Sequence, residues 1–387
     1  MDYTKRLNFN NIFIFLFFVI FPFGQIIRIG ILHPIDVIVG LAAFYAIFKK
    51  FKKPDFFKYV EGLLIAATFS WIFGSLMFRQ TEVLYGLLYL LRLFAYSYFF
   101  IYICHFSMSG LKNKKLLLES LMSVSAISAI FGWIQFYKFP DIKPFFAWGW
   151  DMHLFRLVGT FLDPTFLGLI LVFGVIISLY SYIDTWKRKD VLITIFLLVS
   201  LAFTYSRASY LALFVGLIPL VWHKGIFKKI IIPSILFIVL VFILPTTKNH
   251  SIQLFRSFSA IAKVENYQTT LKIFSKSPIF GIGYDNMCLA YQKIVGPQPF
   301  SSHACSGSDS SLLFILTTCG IAGLIVFIYS ILNIGGLLAR NSYFLILLSS
   351  FTALVVHSLF SNSMFYPWVM AYLLILLALC VKKKNLV

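Results

Sequence analysis

The side chains best suited to chemistry gather in the second half of the chain. Arg207 stands in Thr204-Tyr-Ser-Arg-Ala-Ser209, a polar break in an apolar run. A guanidinium there is permanently charged and offers a planar fork matched to phosphate oxygens. A helix-end arginine reaching out to lipid phosphates suits the same position. Downstream, a segment of mixed polarity from Thr246 to Ser311 carries Arg256, Lys263, His303 and Asp309. An imidazole or carboxylate in it could take a proton from a hydroxyl. The plainer reading is a solvated loop, and Asp309 also suits a helix N-cap. Arg92 lies inside the apolar stretch Leu87–Ile103. A charge there is costly, so it is expected to be functional or ion-paired, with Glu82 and Glu119 as candidate partners. There is no His-x-x-x-His, carboxylate cluster, Gly-rich phosphate loop ending in Lys-Ser/Thr, or nucleophile elbow. No metal ligands and no cofactor are therefore predicted.

The elements that must hold these residues are set by composition. The 387 residues are 60% hydrophobic and only 12% charged, with mean hydropathy +0.89. A soluble domain carries roughly 25% charged residues, so the expected class is an all-α polytopic membrane protein forming one integral-membrane domain over residues 1–387. Twelve apolar segments approach the ~20 residues a bilayer requires. They cover approximately 10–28, 32–48, 59–78, 82–104, 116–137, 164–183, 190–205, 208–223, 230–245, 311–332, 341–360 and 364–381. The run 190–223 is too long for one span, and the arginine in its middle suggests a tight turn at Ser206-Arg207. The first segment lacks a small-residue cleavage site and reads as a retained helix.

The net charge of +19 is not a nucleic-acid signature, because the lysines fall in short clusters between apolar runs, such as Lys49–Lys53, Lys187–Lys189 and Lys382–Lys384. That is the pattern of cytoplasmic loops. It places both termini inside, with loop 138–163 and the large loop 246–310, between the ninth and tenth spans, outside. Phe145-Phe146-Ala-Trp148-Gly-Trp150 in the first loop suits a headgroup-level anchor better than a sugar-stacking platform. In the second, residues 256–276 have helical periodicity, Ser277-Pro278 ends the helix, and Gly281 and Gly283 make a turn. Cys288 and Cys305 share this loop and are either a disulfide or two thiols.

Four stretches resemble the O-antigen ligase and O-antigen polymerase superfamily of bacterial envelope enzymes. Arg156-Leu-Val-Gly-Thr-Phe-Leu-Asp-Pro164 is similar to that family's Arg…Gly-Thr-Phe…Asn/Asp-Pro segment, and Thr204–Ser209 to its Thr-x-Ser-Arg-Gly/Ala signature. Pro278-Ile-Phe-Gly-Ile-Gly283 resembles its Pro-Leu-Phe-Gly-Val-Gly turn. Asp309-Ser310, nine residues and Gly320-Ile-Ala-Gly323 stand where the ligases have His, Asn/Ser/Gln, nine residues and Gly-x-x-Gly. The resemblance covers residues ~150–330; the first ~110 match only in hydropathy.

It implies a GT-C-like, metal-independent, inverting glycosyltransferase of the bacterial cytoplasmic membrane. The donor would be a glycan on undecaprenyl diphosphate, presented on the outer face. Arg207 would bind the diphosphate, with Arg92 and Arg156 as further substrate ligands. A second loop cation would be Arg256 or Lys263. The ligases' histidine falls on Asp309, with His303 six residues earlier as a substitute base. Loss of that histidine points to a polymerase that joins lipid-linked repeat units, with a partner that sets chain length a further expectation. The alternatives are a ligase that moves finished glycan to lipid A core, and a lipid-linked oligosaccharide flippase, for which repeated halves are absent.

Overall fold

The computed structural model describes residues 9–29, 32–148, 153–185, 187–244, 258–297, 307–338 and 341–382. Within them the chain is helical, with only isolated bridges and no strand. Nine helices precede the large loop: α1 Phe9–Ile20, α2 Pro34–Phe48, α3 Phe57–Met77, α4 Gln80–Met108, α5 Leu111–Lys138, α6 Pro164–Thr185, α7 Arg188–Ala202, α8 Arg207–Lys224 and α9 Phe227–Ile243. The loop contributes α10 Phe258–Phe274 and α11 Met287–Ile294. Three more follow: α12 Ser311–Leu338, α13 Phe344–His357 and α14 Pro367–Leu379.

Each of the twelve apolar segments falls on one of these helices, leaving α10 and α11 to the loop. Five helices are long and apolar enough to cross a bilayer, lying within α3, α4, α5, α6 and α12. Others are shorter than their apolar runs. The first run continues to residue 28, but α1 stops at Ile20 and a 3-10 turn, Phe21–Phe23, takes over. Pro22 inside that turn has no N–H to continue the helix. The run at 190–223 divides as expected, with Phe203–Ser206 between α7 and α8.

Burial follows the logic of a lipid solvent. On α3 the buried face carries Leu64, Ala67, Ser70 and Gly74, while Ile65, Phe69, Ile72 and Leu76 point outward. Small residues face the neighbours and bulky apolar ones face away, as in membrane bundles. By contrast α6 is buried all round: Leu167, Leu169, Ile170, Leu171, Val172 and Phe173 have no exposed surface. It packs against α5, α7, α8 and α13 and is the central post of the bundle.

The large loop does not simply cover one end. Helix α12 is broken at Gly320, where φ is 71° and ψ −175°, and the turn Pro278–Gly283 fills the break. Ile282 and Gly283 donate to the Thr317 and Thr318 carbonyls at 3.0 and 3.1 Å, and Ile321 and Ala322 donate to Pro278 and Ile279 at 2.9 and 3.1 Å. Ser70 Oγ of α3 also donates to the Thr318 carbonyl at 2.5 Å. Irregular backbone within an apolar bundle persists only where protein groups satisfy it. The Pro-x-Phe-Gly-x-Gly and Gly-x-x-Gly segments are thus two halves of one interlock.

Candidate functional site

The chain approaches Arg207 through a clasp. Arg156 is buried and donates from Nε to the Thr204 carbonyl at 2.8 Å and from a terminal nitrogen to the Tyr205 carbonyl at 3.2 Å. Its other terminal nitrogen lies 3.3 Å from His153 Nδ1. Leu157 N donates to the Phe203 carbonyl at 2.9 Å, so the two signature segments run side by side. The first is secured in turn by buried Gln135 of α5, whose Oε1 accepts from Val158 and Gly159 N–H at 2.9 and 3.1 Å. Asp163 then caps α6, accepting from Thr165 N, with Pro164 as the first helical residue. Arg156, expected as a substrate ligand, thus has its fork engaged by the carbonyls that shape the turn.

That turn presents Arg207 as the first residue of α8, half-buried, behind the cap Ser206. The guanidinium and the positive end of the α8 dipole therefore coincide. Two residues on, fully buried Ser209 bonds Ser206 Oγ at 2.8 Å and His357 Nε2 at 3.2 Å, and His357 Nδ1 lies 2.6 Å from Ser363 Oγ. His357 closes α13, so this network ties α8 to the turn at 358–366.

The same turn receives the large loop. From α10, Lys263 donates to the Phe360 carbonyl and Tyr267 to the Leu359 carbonyl. Lys263 Nζ also stands 3.6 Å from Asp309 Oδ2, and Asn266 Oδ1 accepts from Asp309 N at 2.8 Å. Lys263 acts electrostatically on His357 as well, so Arg207's turn, Lys263 and Asp309 meet at one corner. Asp309 is not the helix cap: Ser310 Oγ accepts from Leu313 N at 3.4 Å. Its side chain is 45% exposed. His303, Arg256 and Cys305 lie outside the described residues, as does Trp150; Cys288 is disulfide-bonded.

Arg92 belongs to a second group. It pairs with Asp36 of α2 at 2.8 Å, not with Glu82 or Glu119. Asp36 also accepts from Tyr96 OH at 3.0 Å and from His33 N at 3.1 Å. Arg92 stacks 5.1 Å over the Tyr89 ring, and Asp285, from the interlocked turn, feels its charge. Asp36, His357 and Asp285 were not singled out in the sequence. Asp36 and His357 each stand in an apolar run, the signal that drew attention to Arg92; nothing local marks Asp285. Among the described residues no group of three or more His, Cys, Asp or Glu could hold a metal ion.

No curated protein matches this chain. Residues 192–328, from α7 through the large loop into α12, match the family model described as O-antigen ligase. That segment, which contains Arg207, α10 and both halves of the interlock, is similar to the O-antigen ligase/polymerase superfamily.

Proposed function

We propose that this protein is a surface-polysaccharide polymerase of the bacterial cytoplasmic membrane. It spans the bilayer twelve times with both termini in the cytoplasm and works at the outer face. It transfers a growing glycan from undecaprenyl diphosphate to the next lipid-linked repeat unit. An acceptor hydroxyl attacks the anomeric carbon, the bond to the diphosphate oxygen breaks with inversion, and undecaprenyl diphosphate leaves with the electron pair. Asp309 takes the hydroxyl proton.

One observation carries this reading: the turn that bears Arg207 at the head of α8 is held by Arg156 and by Ser206 and Ser209, and through His357 it adjoins the turn at 358–366 that Lys263, paired with Asp309, also reaches. A preorganised cation is what a departing diphosphate requires, since charge builds on it in the transition state. The second reading, a ligase that moves finished glycan to lipid A core or another acceptor, is favoured by the description of the matched family. Asp309, where the ligases have histidine, favours the polymerase.

The test is the glycan ladder of a deletion strain carrying the wild-type gene or Arg207→Ala. Single repeat units on the acceptor, restored to a ladder by wild type and not by Arg207→Ala, are expected. A bare acceptor with polymer held on the lipid carrier makes the protein a ligase. A full ladder with Arg207→Ala ends the diphosphate-clamp assignment.

A further inference from the structure

The group around Arg92 lies apart from the Arg207 corner in the contacts that build it, and it has unusual chemistry. Arg92 is ten residues beyond Glu82 in α4, about 15 Å along the helix at 1.5 Å per residue. The loop reaches it because Tyr284 and Asn286 press directly against α4 at Gly86, and Gly283 and Asn286 against α3 at Gly74. Between them Asp285 is held at φ 57°, left-handed for a residue with a side chain. Such strain persists only where the surroundings impose it, and it concentrates at functional sites.

Asp36, Tyr89, Arg92 and Asp285 each keep some accessible surface, and the charges of Arg92 and Asp285 couple them into one cluster. Polar capacity there is unfilled. No hydrogen bond or ion pair reaches the Asp285 carboxylate among the described residues. Asn286 Oδ1, in a residue almost wholly buried, has no hydrogen-bond partner in that set either. Buried polar atoms without partners point to a missing donor or acceptor.

We propose that this cluster is a saccharide subsite, in which Asp285, Asn286 and Arg92 bind hydroxyls of the lipid-linked glycan. This rests on the reading that the substrate is such a glycan. Sugar hydroxyls both donate and accept, which matches a set containing carboxylates, an amide oxygen, a guanidinium and the Tyr89 phenol. Charge selects against a second diphosphate: Arg92 is already balanced by Asp36 at 2.8 Å. Burial pushes the Asp285 carboxyl up to about 8, with Arg92 holding it down only in part. The groups coupled to it are Arg92 and Tyr89 of α4 and its neighbour Tyr284, itself beside Cys319 of α12. A protonated Asp285 donates to a sugar oxygen and an ionised one accepts from a hydroxyl, so affinity changes as pH passes through about 8.

The experiment uses the full chain in nanodiscs and two probes: undecaprenyl diphosphate without sugar, and the lipid-linked repeat unit extracted from the deletion strain. Wild type is expected to bind the glycan-bearing lipid more tightly and with a pH dependence centred near 8. Asp285→Asn is expected to weaken the glycan-bearing lipid about tenfold, one charged hydrogen bond's worth, and to leave the bare lipid unchanged. The pH dependence disappears with it. Its thermal midpoint at pH 7.5 should equal or exceed wild type, since an amide costs less to bury than a carboxyl held off its ordinary range. Equal binding of the glycan lipid by both proteins, with the same pH dependence, overturns the subsite. Failure of wild type to distinguish the two probes overturns instead the glycan reading on which the subsite rests.

Discussion

The interlock between the loop turn and α12 can be broken by one methyl group. At Gly281, φ is +74° and an added Cβ would lie 2.2 Å from the Thr318 carbonyl oxygen, with Cys319 N at 2.6 Å. All the nearest atoms are backbone, and real Cβ contacts essentially never fall below 3.0 Å. Turn and helix must therefore part by at least 0.8 Å, the step from 2.2 to 3.0 Å. The Ile282–Thr317 and Gly283–Thr318 bonds, now 3.0 and 3.1 Å, would stretch to about 3.9 Å, outside hydrogen-bonding range. Two buried bonds lost at ~1–3 kcal/mol each, with ~1 kcal/mol for the left-handed backbone, make Gly281→Ala cost on the order of 5 kcal/mol. The assay is thermal unfolding in detergent at one fixed scan rate, because membrane proteins of this kind unfold irreversibly. A fall of roughly 6 °C is expected, since 387 residues at about 2.1 cal/mol/K each give an unfolding entropy of about 0.8 kcal/mol/K. Gly335→Ala is the control: nothing lies within 4 Å of a Cβ there, and a helical alanine should raise the midpoint slightly. A Gly281→Ala protein that melts within about 2 °C of wild type would refute the interlock, since two lost bonds cannot cost so little.

Two further outcomes follow from the supports of Arg207. Arg156→Lys keeps the charge but not the fork that spans the Thr204 and Tyr205 carbonyls, so a loss of ~2–3 kcal/mol in thermal melting and loss of the glycan ladder are expected together, with Arg207 itself intact. His357→Phe leaves Ser209 and Ser363 without their imidazole partner; a fall of ~2–4 kcal/mol in the same melting assay marks a positioning residue, whereas full stability with lost activity would mean that His357 meets the substrate. In acid–base titration of stability, Asp285 has a definite sign. Its folded value of about 8 exceeds the ordinary 3.8, so the folded state retains a proton that the unfolded chain releases. Stability is then greatest below about 3.8, falls as pH rises through about 8, and is flat above; Asp285→Asn should remove that slope.

Much of this architecture was legible because the period and polarity of the apolar runs are local. The ends of α10, the terminator at Ser277-Pro278 and the break at Ser206-Arg207 follow from residues adjacent in sequence. What was not legible depends on contacts distant along the chain. Arg92 finds Asp36 across 56 residues, not a glutamate on its own or the next helix. Nothing local says that Pro278–Gly283 will enter the break in α12, because each segment alone reads as an ordinary glycine turn and an ordinary glycine pair. Asp309 illustrates the opposite error. Its sequence position suited a helix cap, yet Ser310 provides the cap and Asp309 stands half-exposed beside Lys263.

These placements bear on how a chain similar to the O-antigen ligases would work with aspartate where the ligases have histidine. Under the proposed reaction the leaving group is a diphosphate, stable once its charge is met, so most of the barrier lies in meeting that charge and orienting the hydroxyl. A general base contributes typically 10²–10⁴-fold, and a half-exposed Asp309 beside Lys263 is poorly placed to supply the upper part of that range. The protein's investment lies elsewhere. Arg156, Gln135, Ser206, Ser209 and His357 all brace the Arg207 turn, while Asp309 is held by its own backbone N–H and one lysine. The bracing contacts are thus concentrated on the turn that carries Arg207 and not on Asp309. Under the proposed reaction, displacing that turn should cost more activity than exchanging the residue at 309.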